Sequence, residues 1–325
     1  MELALYDETA GYFSTGRLRS DQGGDFLTSP EVSPLFGETI ARFVGAERER
    51  IGEPFTLVEV GGGSGSLLRP LLDDLDVAPR VLAVERSAAA RAAIGETVPE
   101  AELVDELAPM RGVIVANELL DNMPAALVVR RGSGWQERRV AVADGGFELV
   151  EVAPRPEVAD WAHRYAGPVA EGGQVEVQAA ATEWVRDVLR SLEAGALLLF
   201  DYGDLAKNLE HRRPEGTVRT YRAHHLGPDP LAEPGETDIT MDVNFSAVLA
   251  VVEESGCEVE LLRQDDFLEQ WDLRDRHRDL RQQELEAARE GRSMDRLRLR
   301  SRVTEVETLL HPRGLGDFRV MTARR

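Results

Sequence analysis

The run Thr56-Leu57-Val58-Glu59-Val60 ends on Gly61-Gly62-Gly63-Ser64-Gly65, and no other stretch restricts the fold as tightly. An apolar run of strand length that breaks on glycines, just before a helical pattern begins near Ser66, is a buried strand turning into a helix. Main chain lies bare at that corner. A helix over about 66–76 leads to the second apolar strand, Arg80-Val81-Leu82-Ala83-Val84-Glu85, and a further helix covers 87–95. A short strand ends near Val104-Asp105, and Gly112-Val113-Ile114-Val115-Ala116-Asn117 forms the next. Strand and helix in alternation predict an α/β fold with a wound, parallel, Rossmann-like sheet.

Three β-rich runs then interrupt the alternation: Ala126–Arg131, Trp135–Ala143 and Phe147–Val152. Gly132-Ser133-Gly134 and Asp144-Gly145-Gly146 join them, which predicts an inserted antiparallel meander. A helix near 156–166, a strand at Gln174–Val177, a helix over 179–194 ending on Gly195 and a core strand at Ala196–Asp201 restore the pattern. Residues 203–243 have no period and predict a long loop of the kind that carries function. A helix over 244–255, a strand over 257–262, a charged helical stretch over 266–310 and a last strand at Phe318–Met321 complete the chain. At the front, residues 1–30 read as an irregular arm with Gly11, Gly16, Gly23 and Gly24. Pro30 opens a helix through about Phe43, with Ser29 as its cap. The chain thus divides into an arm and helix over 1–45 and a main domain over 46–325, with insertions at about 122–175, 203–243 and 266–310.

Charge narrows the partners. With 59 Asp and Glu against 38 Lys and Arg, a net charge of −21 and no basic stripe, the chain repels a phosphate backbone, so nucleic acid is not expected as substrate. Cys257 stands alone, which rules out an internal disulfide and a cysteine-cage metal site and suits a reducing compartment. His163, His211, His277 and His311 have no ligand spacing, so no metal is expected. No apolar run approaches the roughly 20 residues that span a bilayer. The first residues lack a basic-then-apolar signal pattern. A cytoplasmic protein without a membrane partner is the expectation, and a homodimer is compatible with it.

Two ligand classes use a glycine corner of this kind. Dinucleotides rest a pyrophosphate on the helix N-terminus and want Gly-x-Gly-x-x-Gly, with an acid about 20 residues on. Here Gly61, Gly63 and Gly65 place the third glycine one position early, Gly62 bares the main chain further, and Glu59 precedes the corner. A carboxylate there repels a pyrophosphate but accepts a hydrogen bond from an ammonium group, which favours S-adenosylmethionine over NAD. Glu85, closing the second strand, is placed for two ribose hydroxyls and Asp105 for an adenine amino group, though either adenosine ligand would use them. "ANELLDNMPA" sets Asn117, Glu118 and Asp121 at the C-terminal end of a buried strand, the edge where wound sheets bind ligands. Carboxylates there can orient a guanidinium or amine and accept its proton. The plainer reading makes Asp121 a helix cap and Asn117 a turn residue. Thr28, Ser29, Pro30 and Glu31, with Gly24 and Asp25, sit where the arm meets a helix N-terminus, a place to close over a cofactor.

The ordered motifs "LALYDETAGYF" (3–13), "GGDFLTSPEVSPLFGE" (23–38), "VEVGGGSGSL" (58–67), "ANELLDNMP" (116–124), "LLLFDYG" (197–203), "TVRTYRAHH" (217–225), "DPLAEPGETDITMDVNF" (229–245) and "RGLGDFRVM" (313–321) span almost the whole chain. Together they resemble the MidA-like S-adenosylmethionine-dependent methyltransferases, a family that includes the mitochondrial arginine methyltransferase assisting complex I assembly. The resemblance implies the class I methyltransferase sheet, with 197–202 as strand five and 317–322 as an antiparallel last strand. It implies S-adenosylmethionine as cofactor and methyl transfer to arginine in a protein substrate. It also raises His224 or His225 to candidate proton acceptor, with His225 joining Glu118 and Asp121 as the catalytic set. Asp201 and Tyr202 would line the acceptor channel. Asp229, Glu233, Glu236 and Asp238 would give the long loop an acidic face that steers an arginine-bearing substrate. The alternative is a non-catalytic factor that binds the cofactor and works through protein contacts.

Overall fold

The computed structural model describes residues 1–14, 28–143, 145–222 and 225–325. Gly16, Gly23, Gly24, Asp25, Asp144 and His224 lie outside the described residues. Helix α1 (Glu2–Tyr6) opens the chain, followed beyond the arm by α2 (Ser29–Val32) and α3 (Pro34–Ile51). The single helix expected from Pro30 is therefore two. Ser33 is extended, its hydroxyl accepts the Leu35 N–H at 3.2 Å and Pro34 takes the first helical position, so α3 starts there. Thr28, and not Ser29, caps α2, with the Glu31 carboxylate accepting the Thr28 N–H at 3.1 Å.

The wound half runs β1 (Thr56–Val60), α4 (Leu68–Asp73), β2 (Arg80–Val84), α5 (Ala88–Thr97), β3 (Glu102–Val104) and β4 (Met110–Asn117). The meander is β5 (Ala126–Arg131), β6 (Gly134–Ala143) and β7 (Gly146–Val152), then α6 (Pro156–Tyr165), β8 (Gln174–Val177), α7 (Ala179–Ser191) and β9 (Leu192–Asp201). Short strands β10 (Gly203–Asp204), β11 (Arg219–Arg222), β12 (His225–Leu226), β13 (Asp238–Thr240) and β14 (Val243–Asn244) come next. The chain closes with α8 (Phe245–Glu254), β15 (Glu258–Arg263), α9 (Gln264–Gln270), α10 (Leu273–Arg289), α11 (Ser293–Leu309) and β16 (Arg319–Arg324).

Seven strands form the main sheet in the order β15-β16-β9-β4-β1-β2-β3. β9, β4, β1, β2 and β3 pair in parallel, and β16 enters antiparallel between β9 and β15. This is the class I methyltransferase arrangement that the resemblance implies, with β9 and β16 as the expected fifth and last strands. One face of the sheet packs on α3, α4 and the α9–α11 helices through Phe36, Phe43 and Phe267, and the other on α7 and α8 through Val185, Leu189 and Val248. The meander joins β8 in a separate antiparallel sheet, β7-β6-β5-β8, covered by α6.

Two departures have clear causes. The helix expected to end on Gly195 stops at Ser191, and Gly195 lies inside β9, exchanging main-chain hydrogen bonds of 3.0 Å with Arg325. Glycine is required there for contact, since a Cβ would sit 1.8 Å from the Gly112 oxygen, just as one on Gly112 would sit 1.8 Å from the Thr56 oxygen. The 203–243 stretch, expected as loop, holds the small antiparallel sheet β12-β11-β13. Strands this short show no alternation, and they pack through Ile239 on Leu5 and Tyr12 of the N-terminal arm instead of on the main core.

Candidate functional site

The parallel strands end together on one edge, and a cleft of about 1420 Å³ opens there. Small-molecule sites usually enclose about 300–1,000 Å³, so a nucleoside cofactor and a second reactant fit together. Gly61 and Gly63 take left-handed φ values of 72° and 53°, which turn the chain sharply after β1. Gly62 is needed for a different reason: a Cβ there would lie 2.7 Å from Glu59 Oε2. Glu59 is only 4% exposed, and its Oε2 has no hydrogen-bond partner. Burial, and then the Glu85 charge, push its carboxyl up to about 8. Glu85 is pinned at the end of β2, accepting the Ser87 N–H at 2.8 Å and the Gly63 N–H at 3.3 Å. Asp105 reaches the rim, exposed and paired with Arg91 at 3.0 Å. An orphaned buried carboxylate beside bare main chain, with a second acid facing it, suits a nucleoside that carries an ammonium group and ribose hydroxyls.

A second group of acids stands after β4. Asn117 and Glu118 both line the cleft, and the Asn117 amide donates to Glu118 Oε1 at 3.1 Å. Glu118 has φ 50°, a left-handed conformation that costs on the order of 1 kcal/mol for a residue other than glycine. Its N–H still donates to the Phe200 carbonyl at 2.8 Å, so the strain turns the side chain without breaking the ladder. Burial, and then Asp121, push the Glu118 carboxyl up to about 8, against the Asn117 amide and the Ser29 main-chain N–H that favour its charge.

Asp121 is buried and its own carboxyl is raised, chiefly by burial. Its Oδ2 accepts from the Tyr202 hydroxyl and from Thr240 Oγ1 at 2.6 Å, while Oδ1 has no partner. Asp201, fully buried, accepts the N–H groups of Leu120 at 2.9 Å, Asp121 at 3.3 Å and Tyr202 at 2.9 Å, and so holds the Asp121 turn in place.

Some expected residues stand elsewhere. Ser29 is fully buried with its hydroxyl in hydrogen bonds to the Gln264 side chain, so it meets the site only through its main-chain N–H, while Thr28 and Pro30 line the cleft. Gly65 turns away: its N–H bonds the Gly62 carbonyl, and a Cβ on it would point at Thr97 and Val98. His225 is exposed on β12 opposite Arg222 and is absent from the cleft wall, because the β11–β12 hairpin carries it outward. The sequence reading missed Tyr6, Arg86 and Thr240. Tyr6 lines the cleft, donates to the Asn122 carbonyl at 3.3 Å and lies 4.7 Å under the Arg86 guanidinium. Only the "LALYDETAGYF" and "ETDITMD" motifs hinted at Tyr6 and Thr240, since their hydrogen-bond partners are more than a hundred residues distant.

Among the described residues, no group of three or more His, Cys, Asp or Glu is arranged to hold a metal ion, and no helix is long and apolar enough to cross a membrane. Residues 37–262 match the family model for S-adenosyl-L-methionine-dependent methyltransferases. The mitochondrial protein arginine methyltransferase NDUFAF7 homolog of Drosophila melanogaster is 25% identical over 296 residues, 79% of this chain and 66% of the relative. The mitochondrial NDUFAF7 of Xenopus tropicalis, also a protein arginine methyltransferase by name, is 25% identical over 309 residues, 82% of this chain and 70% of the relative. The chain thus spans about two thirds of the length of these curated relatives. A crystal structure of a COG1565 superfamily member from Burkholderia thailandensis, bound to S-adenosyl-homocysteine, aligns with a TM-score of 0.86 and 30% identity, covering 100% of this chain and 86% of that one. The curated relatives are mitochondrial by name, which overturns the cytoplasmic placement drawn from the lone cysteine, the lack of a membrane-length apolar run and the lack of a signal pattern.

The raised Glu59 carboxyl has a measurable consequence. Its folded value of about 8 lies above the 4.5 of the free group, so the folded state holds this proton more tightly, and stability falls as pH rises from about 4.5 through about 8. Glu59→Gln is expected to raise the melting temperature relative to the parent at pH 8 but not at pH 4, and to weaken S-adenosylhomocysteine about tenfold or more. Thermal scans at the two pH values and calorimetric titration check both parts; unchanged nucleoside affinity would remove Glu59 from the cofactor site.

Proposed function

Because the chain belongs to the family of S-adenosyl-L-methionine-dependent methyltransferases, we propose that its cleft transfers the methyl group to an arginine side chain of a protein. The observation carrying the acceptor reading is the crowd of carboxyl groups at one end of the cleft. Glu118, Asp121 and Asp238 line it, and Asp201 lies behind. Such a site draws a guanidinium and repels anionic acceptors. The names of the curated relatives point the same way.

The cofactor, when bound, supplies an electrophilic methyl on a sulfonium sulfur. Glu59 would hold its amino group and Glu85 its ribose hydroxyls, with the bare main chain of Gly61–Gly63 leaving room beside them. A guanidinium nitrogen must give up a proton to present a lone pair. Glu118, with a carboxyl near neutrality, is matched to take it. Asp121, held through Oδ2 by Tyr202 and Thr240, offers Oδ1 to orient the planar group. Tyr202 stays a donor, since burial and then Asp121 hold its hydroxyl well above the usual range.

The test is transfer of labelled methyl from S-adenosylmethionine into proteins of a source-cell lysate, followed by acid hydrolysis and separation of the modified amino acids. Label is expected in methylarginine. Label confined to methyllysine or to small molecules would reject the acceptor, and cofactor binding without any transfer would favour the non-catalytic factor.

A further inference from the structure

One wall of the cleft carries the opposite charge. Asp242, 2% exposed, receives the guanidinium groups of both Arg212 and Arg219. Its main chain is fixed as well, the carbonyl accepting from Gln178 Nε2 at 3.0 Å and the N–H donating to Thr217 Oγ1 at 3.2 Å. Arg213 does not share this carboxylate, having its own buried partner in Glu176 at 3.2 Å. Two cations on one carboxylate leave a surplus positive charge. One arginine would suffice to neutralise the charge of Asp242; the two divide its oxygens, Arg212 on Oδ2 and Arg219 on Oδ1, and the second brings a positive charge beyond neutrality.

Both arginines line the cleft, with side chains 40% and 35% exposed. The Arg219 guanidinium carbon lies 5.8 Å from the centre of the Tyr202 ring, and its Nε has no hydrogen-bond partner. Ala180, in the first turn of α7, lines the cleft too, adding the positive end of a helix dipole. The Tyr202 ring therefore has a guanidinium over its face and the Asp121 carboxylate on its hydroxyl. A reactant filling both places carries a cation and, one side chain's reach away, an anion.

We propose that Arg212 and Arg219, seated on Asp242, form an anion subsite that selects acceptors with a carboxylate close to the methylated side chain. The carboxylate comes from a neighbouring Asp or Glu or from a chain terminus. The subsite deepens the protein-acceptor reading above and rests on it. It makes specificity bipolar, because a basic segment lacking an acid would gain at the acidic end of the cleft and lose at this wall.

Fluorescein-labelled peptides with a Gly-Arg-Gly core, carrying Asp or Asn at each of three positions on either side, are titrated by anisotropy against the protein saturated with S-adenosylhomocysteine. A parallel pair ends in a free carboxylate or an amide and separates the two sources. At one position, or at the terminus, the acid is expected to bind about tenfold tighter than its neutral match. Arg219→Gln, which leaves Arg212 on Asp242, is expected to reduce that preference below about twofold, and Arg219→Lys to keep part of it. Arg212→Gln serves as the second variant, and the comparison of acid with neutral peptides on the parent protein decides even without either. No preference for an acid at any position overturns the subsite, and so does a preference that survives both glutamine variants. A loss of S-adenosylhomocysteine affinity in Arg219→Gln overturns it as well, by giving the pair to the cofactor. Replacing the core Arg with Lys tests the acceptor separately: an acid preference retained while arginine loses its advantage would leave the subsite and remove the arginine reading.

Discussion

Glu118→Gln is expected to lower kcat by about a thousandfold while S-adenosylhomocysteine binds within about twofold of the parent. Glutamine keeps the size of the side chain and an oxygen for the Asn117 amide, so the left-handed turn at 118 and its packing persist. The loss is the ability to take a proton. Because burial holds the parent carboxyl near 8, the rate in the parent should rise with pH up to about that value, and the variant should lose that limb of the profile. Steady-state rates across pH 6–9 with calorimetry of the product nucleoside read both. A variant within tenfold of the parent would take the proton-acceptor role from Glu118, leaving Asp121 as the nearest alternative.

The largest stability effect should come from a single methyl group. Gly112→Ala places a Cβ 1.8 Å from the Thr56 oxygen on the neighbouring parallel strand, at φ 148°. Neither partner can withdraw, because β4 is paired on both sides, with β1 and β9. The cost should exceed about 4 kcal/mol, in the range reserved for core disruption, and should lower the melting temperature by on the order of 10 °C or prevent soluble expression. Gly45→Ala, inside α3 with nothing within 4 Å of the new methyl, is the matched control and should stabilise by about 0.5–1 kcal/mol. Similar melting temperatures for the two variants would show that the sheet relaxes around residue 112.

The parts of this molecule legible in its sequence are those where burial writes a pattern. β1, β2 and β4 are covered on both faces over most of their length and appear as largely apolar runs, with Glu59 the one acid inside them, and the glycine corner follows directly from β1. Glu59 and Glu85 were readable because their places depend on strand ends, which are local. The Ser33 break was not, since Ser29-Pro30 and Ser33-Pro34 offer the same start signal four residues apart. Gly195 misled for a related reason: a glycine after a helical pattern marks a helix end, yet here it marks a close approach of strands. The acceptor end lay furthest from view. Asp121 meets Tyr202 and Thr240 across 81 and 119 residues, and strands of two to four residues between them carry no period. His225 was raised by its motif alone, and a hairpin of that length can aim a side chain to either side.

The contacts of Tyr6 bear on what happens between turnovers. Its hydroxyl rests on the segment after β4 and its ring under Arg86 after β2, so the first helix bridges the mouth above the glycine corner. A nucleoside leaving past this side of the cleft would part that bridge. The tie is made by a five-residue helix whose Tyr6 also feels the charges of Asp121, Asp238 and Glu85, so a change there would reach the acids of the cleft as well.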